Sequence, residues 1–162
     1  GSEYLKVLHS REQGSPPYLN LDQEQAVQHC VLELIRAGLV QSAHDCSDGG
    51  LAVALAECCM SGPDQSRGAV VRLTPGRQRK DSMLFGESQS RIIVSAKPAQ
   101  RQAILEQAQR MGVPAVVIGA VGGASLVIYL GDEQSTTKTI DLPVATIADR
   151  WGCSLERRLS QE

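Results

Sequence analysis

The chain has 162 residues, of which 42% are apolar and 21% are charged, and its formal net charge is −2. This composition is too apolar for a disordered chain, and it lacks the basic excess of a nucleic-acid-binding protein. Aromatic residues make up only 3%, so we expect an aliphatic core and no aromatic platforms on which bases could stack. No apolar run is long enough to span a bilayer and no leader opens the chain, which predicts a cytoplasmic protein without nucleic-acid or membrane partners.

The five cysteines show no paired C-x-x-C spacing, so we expect neither a zinc site nor a disulfide framework. Cys30 and Cys58 fall on the apolar faces of predicted helices, where a thiol usually acts as a small hydrophobic side chain. This use of cysteine favours a reducing compartment and a chain that holds no metal.

The two ends of the chain differ in character from its body. Residues 1–20 read as a lead-in from a preceding domain, with a short strand over 3–8 followed by a linker rich in Pro and Gly. The body, 21–155, is predicted to be one domain, and 156–162 a charged tail. This organisation indicates a piece of a longer protein.

Helices are predicted from apolar residues that recur at three- and four-residue spacing. The first follows the start of the body at Leu21, with Asp22 as its N-cap and Gly38 as its C-terminal stop. A polar loop over 42–50 leads into a second helix. This second helix is predicted over 51–60, and three further helices are predicted over 81–85, 98–111 and 144–151.

Five apolar runs predict strands over 69–73, 91–96, 114–121, 125–130 and 138–142. Gly122-Gly123 suits a two-residue hairpin between the third and fourth of these strands, because such turns need positive φ angles. The hairpin interrupts the alternation of strands and helices. We therefore predict an α/β (α+β) fold with a mixed sheet and packed helices, not a doubly wound parallel sheet.

The first loop that could carry chemistry precedes the second predicted helix and contains His44, Asp45, Ser47, Asp48, Gly49 and Gly50. The first turn of a helix leaves N–H groups unpaired and glycine allows close approach, so this loop could hold an anion such as phosphate. The alternative is a turn in which Ser47 or Asp48 only caps the helix.

The second such loop lies just before an apolar strand and contains Gly86, Glu87, Ser88, Gln89, Ser90 and Arg91. Loops placed by strands often hold ligands. The alternative is a solvated turn in which Arg91 reaches a nearby carboxylate. Neither loop pairs a nucleophile with a base or matches a Walker-type phosphate loop, so no catalytic residue is assigned.

Taken together, the two loops resemble a known family. The segments SAHDCSDGGLAVALAE (42–57) and LFGESQSR (84–91) closely resemble the synthetase subunit of phosphoribosylformylglycinamidine synthase, also called subunit II or formylglycinamide ribonucleotide amidotransferase. Residues 1–5, 118–121 and 141–144 resemble its flanking segments, so the resemblance covers essentially the whole chain. It implies the C-terminal domain of the aminoimidazole ribonucleotide synthetase-like superfamily.

The resemblance also implies a reaction. ATP activates the amide oxygen of formylglycinamide ribonucleotide, and ammonia displaces phosphate to give the amidine. Upstream ATP-binding domains of the same parent chain would hold ATP and Mg²⁺, a glutaminase subunit would supply ammonia, and a small third subunit would join the complex. We expect no cofactor to bind tightly to this chain alone, and we expect it to be inactive in isolation.

The matching motifs imply roles for the two loops. Glu87, Ser88 and Gln89 would contact the substrate or its phosphate, and the loop over 45–50 would line the same cleft. Because the family carries an equivalent loop in its other half, the loops here would serve either the working site or a structural copy. Two alternatives stay open: a non-catalytic structural domain of that enzyme, and another superfamily synthetase, for aminoimidazole ribonucleotide or selenophosphate.

Overall fold

The computed structural model describes residues 2–61, 67–131, 137–154 and 159. The helices are α1 (Glu3–His9), α2 (Leu21–Arg36), α3 (Gly50–Met60), α4 (Lys80–Phe85), α5 (Arg101–Arg110) and α6 (Val144–Gly152). The strands are β1 (Ser42–Asp45), β2 (Ala69–Leu73), β3 (Ile92–Ser95), β4 (Gly119–Val121), β5 (Ser125–Leu130) and β6 (Lys138–Pro143). A 3-10 turn, Pro98–Gln100, precedes α5.

The chain divides into two compact units. The first comprises Gly1–Ala54 and Asp81–Val117, and the second comprises Leu55–Lys80 and Ile118–Glu162. The boundaries predicted after residues 20 and 155 stay predictions, and of the tail 156–162 only Leu159 lies within the described residues. Among the described helices, none is both long enough and apolar enough to cross a membrane.

The core of the first unit forms between α2 and α5. Cys30 and Leu34 of α2 are buried together with Ile104 and Ala108 of α5. Each pair is four residues apart, so its members lie on one helical face. This packing makes α2, with its 16 residues, a rigid base for the side chains on its other faces.

Helix α2 has a side-chain N-cap at its start and a glycine just beyond its end. Its N-cap is Asn20, whose side chain accepts from the Gln23 N–H at 3.1 Å, so the prediction of Asp22 was wrong by two residues. Asp22 lies inside the first turn, where its charge favours the helix dipole. The helix ends at Arg36, and Gly38 follows with a φ of +66°.

The predicted strand over 3–8 is wrong, because these residues form helix α1. The Ser2 hydroxyl accepts from the Leu5 N–H, and Lys6 pairs with Glu3 one turn earlier at 3.2 Å. These are local helix-stabilising contacts, and the segment contains neither Gly nor Pro to oppose them. The segment that follows, residues 10–20, has no helix or strand and is exposed throughout, and its role as a linker stays a prediction.

The first unit also holds a two-stranded antiparallel sheet of β1 and β3, in which Ser42 faces Ser95 and Asp45 faces Ile92. The sequence predicted a loop over all of 42–50, and this is wrong for the first four residues. The side chains of β1 are polar and mostly exposed, so hydrophobic patterning could not reveal a strand that depends on backbone pairing with β3.

The second unit contains a mixed four-stranded sheet with the order β4-β2-β5-β6. Strands β2 and β5 are parallel, and the pairs β2–β4 and β5–β6 are antiparallel. The predicted mixed sheet with packed helices is therefore confirmed. The predicted Gly122-Gly123 hairpin is wrong, because β2 lies between β4 and β5. The predicted strand over 114–121 is also reduced to its last three residues.

The two glycines have positive φ as expected but serve a different purpose. Gly123 accepts from the Gly68 N–H, and Gly122 donates to the Gly68 carbonyl, both at 2.8 Å. They therefore continue the pairing of β4 with the start of β2. The glycine pair correctly predicted positive φ angles at these two positions. Which strands pair with each other depends on long-range packing, and the sequence did not predict it.

The buried centre of the second unit lies on β5. Ile128 has no exposed surface and faces Val71 of β2, and Leu126 and Val144 are also almost fully buried. The cysteine of α3 that is buried is Cys59 and not Cys58, which is only half-buried. Aliphatic side chains thus form this core, as the composition predicts.

We expect Ile128→Ala to lower the free energy of unfolding by about 2–5 kcal/mol, because it leaves a cavity beside Val71. The matched control is Val70→Ala in the neighbouring strand, where 42% of the side chain is exposed and the loss should stay below about 1 kcal/mol. Urea denaturation followed by circular dichroism measures both. Equal losses for the two variants would contradict this core assignment.

Candidate functional site

The pairing of β1 with β3 brings the two polar loops together. In an antiparallel pair, the end of one strand lies beside the start of the other. The Cys46 N–H donates to the Arg91 carbonyl at 2.9 Å, which extends the pairing one step beyond Asp45 and Ile92 into both loops. The loop after β1 and the loop before β3 therefore share one rim of the first unit.

A single carboxylate connects this rim to the N-terminal helix. Oε1 of half-buried Glu87 accepts from the Gly49 N–H and from the Glu3 N–H, each at 2.9 Å. The Gly49 N–H lies at the start of α3, where the sequence suggested an external anion. In this structure the protein's own carboxylate takes that position.

The turn into α3 needs glycine for two reasons. Gly49 and Gly50 have φ angles of +79° and +69°, in the left-handed region that other residues avoid. At Gly50, a Cβ atom would also lie 2.7 Å from the Gly86 carbonyl oxygen and 2.8 Å from the Phe85 carbonyl carbon. The two loops thus approach each other more closely than any larger residue permits.

The Arg91 side chain, at the end of the second loop, bonds back to backbone carbonyls at its start. Its Nη1 donates to the Gly86 carbonyl at 3.2 Å and its Nη2 donates to the Met83 carbonyl at 3.4 Å. These carbonyls lie at the end of α4, where a helix leaves its last acceptors without partners. The sequence suggested a carboxylate partner for Arg91, and the contacts found are with backbone carbonyls.

The side chains of the first loop bond mainly within the loop. The Ser47 hydroxyl donates to the Asp45 carboxylate, and this bond holds the pKa of Asp45 below its ordinary value of 3.8. His44 Nδ1 donates to the Asp45 carbonyl at 2.7 Å. Burial raises the pKa of the neighbouring Cys46 thiol, which favours its protonated form.

The shared rim encloses a cavity of about 920 Å³. The predicted residues that line it are Asp45, Ser47, Asp48, Gly86, Glu87, Ser88, Gln89, Ser90 and Arg91. Gly49 and Gly50 shape the turn beneath the rim, and His44 bonds to the backbone beside it. The structure thus brings most of the predicted set to one place.

The cavity also has walls that the sequence did not reveal. Glu24 and Gln28 reach it from α2, and Ser2, Gln13 and Ser15 reach it from the N-terminal segment. Glu24 and Gln28 are four residues apart on the polar side of an amphipathic helix, which reads in sequence as a solvated face. Only the tertiary structure turns that face toward the loops.

The charges around the cavity are mostly negative. Its lining includes four carboxylates, from Glu24, Asp45, Asp48 and Glu87, and one guanidinium, from Arg91. Across the described residues, no group of three or more His, Cys, Asp and Glu side chains is arranged to hold a metal ion. The walls therefore suit a ligand that presents hydrogen-bond donors better than one that presents bare phosphate.

Comparison with known proteins shows the family to which this chain belongs. Residues 1–131 match the model of "AIR synthase related protein, C-terminal domain". The chain belongs to this family. The resemblance inferred from the two loops, and the fold it implied, are confirmed.

Relatives of this chain among known proteins and solved structures carry the name PurL. The "Phosphoribosylformylglycinamidine synthase subunit PurL" of Anaeromyxobacter sp. (strain Fw109-5) is 47% identical over 158 residues, 93% of this chain and 19% of the relative. "T. maritima PurL complexed with FGAR" is 27% identical with a TM-score of 0.66, over 77% of this chain and 21% of that one. "T. maritima PurL complexed with ATP" is 25% identical with a TM-score of 0.65, over 76% of this chain and 21% of that one. The chain thus spans about a fifth of the length of the relatives it matches.

We expect Gly50→Ala to destabilise the protein more than Gly112→Ala. The two glycines share a φ near +69° and +68°, so both variants carry a similar backbone strain of about 1–2 kcal/mol. Only Gly50 faces Phe85 and Gly86; a Cβ on Gly112 meets nothing within 4 Å. The additional loss should be about 1–3 kcal/mol, measured by urea denaturation, and equal losses would contradict the close approach of the loops.

We expect Ser47→Ala to raise the pKa of Asp45 toward 3.8, because the hydroxyl that stabilises the carboxylate is removed. A depressed pKa stabilises the fold above pH 3.8, and this contribution is lost as the pH falls through the lower folded-state value. The variant should therefore lose less stability on acidification.

An NMR titration of the Asp45 carboxyl carbon measures this shift. Ser61→Ala is the control, since that hydroxyl donates to the Glu57 carbonyl at 2.7 Å and should leave Asp45 unchanged. An unaltered Asp45 titration in Ser47→Ala would refute the bond as the cause.

Proposed function

We propose that this chain is the C-terminal domain portion of an ATP-dependent ligase, the synthetase subunit of phosphoribosylformylglycinamidine synthase. The reaction converts formylglycinamide ribonucleotide and ammonia into formylglycinamidine ribonucleotide. The name of the relative at 47% identity supports this proposal, as does the fold shared with structures complexed with FGAR and with ATP. The proposal concerns the whole enzyme, of which the chain supplies one part.

The observation that carries the proposal is the cavity in the first unit. Two loops that are about 40 residues apart in sequence meet at one rim, and both resemble the loops of this enzyme family. The cavity of about 920 Å³ is large enough for a ligand the size of a nucleotide. We propose that it forms part of the substrate-binding wall of the parent enzyme.

The charges favour particular contacts with the substrate. Ser88 and Gln89 are exposed at the rim and offer hydroxyl and amide groups, and Asp48 offers a carboxylate. We propose that these side chains accept hydrogen bonds from hydroxyl and amide groups of the ribonucleotide. Its phosphate is better held by groups outside this rim, because four carboxylates would repel it here.

ATP and Mg²⁺ belong to the parent enzyme in this proposal. ATP supplies the phosphoryl group that activates the amide oxygen. The described residues offer no cluster for a metal ion, so we derive no step of the reaction through Mg²⁺ on this chain. Upstream domains of the parent chain are proposed to hold both, and a glutaminase subunit and a small third subunit are the proposed partners.

The contact between Glu87 and Gly49 favours a second candidate function, that of a non-catalytic structural domain. Because the Glu87 carboxylate already accepts from the Gly49 N–H at the start of α3, that N–H has a partner without an external anion. A non-catalytic domain that completes the enzyme's structure would have this property. The other alternative, a synthetase for aminoimidazole ribonucleotide or selenophosphate, is distinguished by profiling the parent enzyme with each substrate.

We expect Glu87→Ala in the full-length enzyme to lower kcat/KM more than about tenfold, or about 1.4 kcal/mol, because two N–H groups lose their acceptor and the rim loosens. Glu87→Gln retains an oxygen that can accept both bonds and should keep more activity. Initial rates of formylglycinamidine ribonucleotide synthesis measure both variants.

Glu106→Ala is the control, since Glu106 is exposed on α5 and accepts from Gln102 in the same helix at 3.0 Å. If Glu87→Ala stayed within about twofold of the wild type and of this control, the structural-domain alternative would be favoured. Equal losses for the Ala and Gln variants would show that the charge of Glu87, and not its acceptor geometry, matters.

A further inference from the structure

The second loop contains a backbone conformation that needs support. Ser90 has a φ of +62°, in the left-handed region. Among the described residues, the other non-glycine residue with positive φ is Ser10, an exposed helix cap. A serine in this conformation persists only where its surroundings hold it, and such residues cluster at ligand-binding sites.

Glu24 of α2 supplies the support. Its Oε2 accepts from the Ser90 hydroxyl at 2.5 Å, and the backbone of Ser90 also bonds to this carboxylate. Its Oε1 accepts from Gln28 one turn further along α2 at 2.6 Å. Both carboxylate oxygens are therefore engaged, and the carboxylate has a fixed orientation.

Glu24, which supports Ser90, is part of a helix that is itself held in place by packing. Glu24 lies in the first turn of α2, which packs against α5 through Cys30 and Leu34 on another face. The contact joins residues 66 positions apart, so it forms only when the first unit folds. The other end of the loop is held separately, by the bonds from Arg91 to Gly86 and Met83.

We propose that Glu24 is a positioning residue for the ligand loop over 86–91. By holding Ser90 in its left-handed conformation, it orients the exposed residues Ser88 and Gln89 at the cavity wall. The proposal rests on the proposed function, because it assigns to these two residues a ligand of the parent enzyme. Glu24 itself acts through Ser90, although it lines the same cavity.

The experiment uses the full-length enzyme and four variants: Glu24→Ala, Glu24→Gln, Ser90→Gly and the double variant Glu24→Ala/Ser90→Gly. The control is Glu33→Ala, also on α2, where the half-buried carboxylate pairs with Arg36 at 3.1 Å. Initial rates give KM for formylglycinamide ribonucleotide and kcat. Hydrogen–deuterium exchange of the peptide covering 86–91 reports the loop directly.

We expect Glu24→Ala to raise KM roughly tenfold with kcat changed less than about twofold, and to speed exchange over 86–91. Glu24→Gln, which keeps an acceptor for the Ser90 hydroxyl, should restore most of the affinity. Glycine adopts a positive φ without support, so Glu24→Ala should add less than about twofold in the Ser90→Gly background. Glu33→Ala should match the wild type in both measurements.

Three results would overturn the proposal. Unchanged exchange in Glu24→Ala would show that Glu24 does not hold the loop. Unchanged KM with faster exchange, or an equal effect of Glu24→Ala in the serine and glycine backgrounds, would show that holding Ser90 does not position the ligand. A fourth result, a wild-type enzyme that makes no product, would refute the proposed function and the positioning role together, whereas the first three results leave the proposed function standing.

Discussion

The arrangement of the first unit depends on one carboxylate that accepts two backbone N–H groups. Glu87 joins Gly49, 38 residues away, and Glu3, 84 residues away, at equal distances of 2.9 Å. Bonds from N–H groups to a charged acceptor are stronger than bonds between neutral groups, and removing the acceptor leaves both donors without a partner. The entry into α3, the second loop and the N-terminal helix are thereby held at one point.

This carboxylate also decides what the rim can do chemically. It satisfies the helix N-terminus that would otherwise attract an anion, and it adds to the negative charge of Glu24, Asp45 and Asp48 around the cavity. The negative charge of this rim favours ligands that donate hydrogen bonds.

Much of the fold was predictable because it depends on local patterns. The three- and four-residue spacing predicted α2 and α5, and apolar runs predicted β2, β5 and β6. Two of the errors share one cause: β1 is a mostly polar strand that exists through its partner, and β4 pairs with β2 and not with the strand that follows it. Strand partners are chosen by packing over long sequence distances, which local propensity cannot report.

For the site, the sequence by itself determined the residue types of the two loops, the glycines that their turn requires and the family to which they belong. The tertiary structure alone decided that the loops share a rim, that Glu87 fills the N–H position at α3 and that Glu24 reaches Ser90. The physical reason is distance along the chain. A hydrogen bond between residues 66 positions apart leaves no periodic or compositional trace, because its geometry is set by the packing of α2 against α5 and by the pairing of β1 with β3.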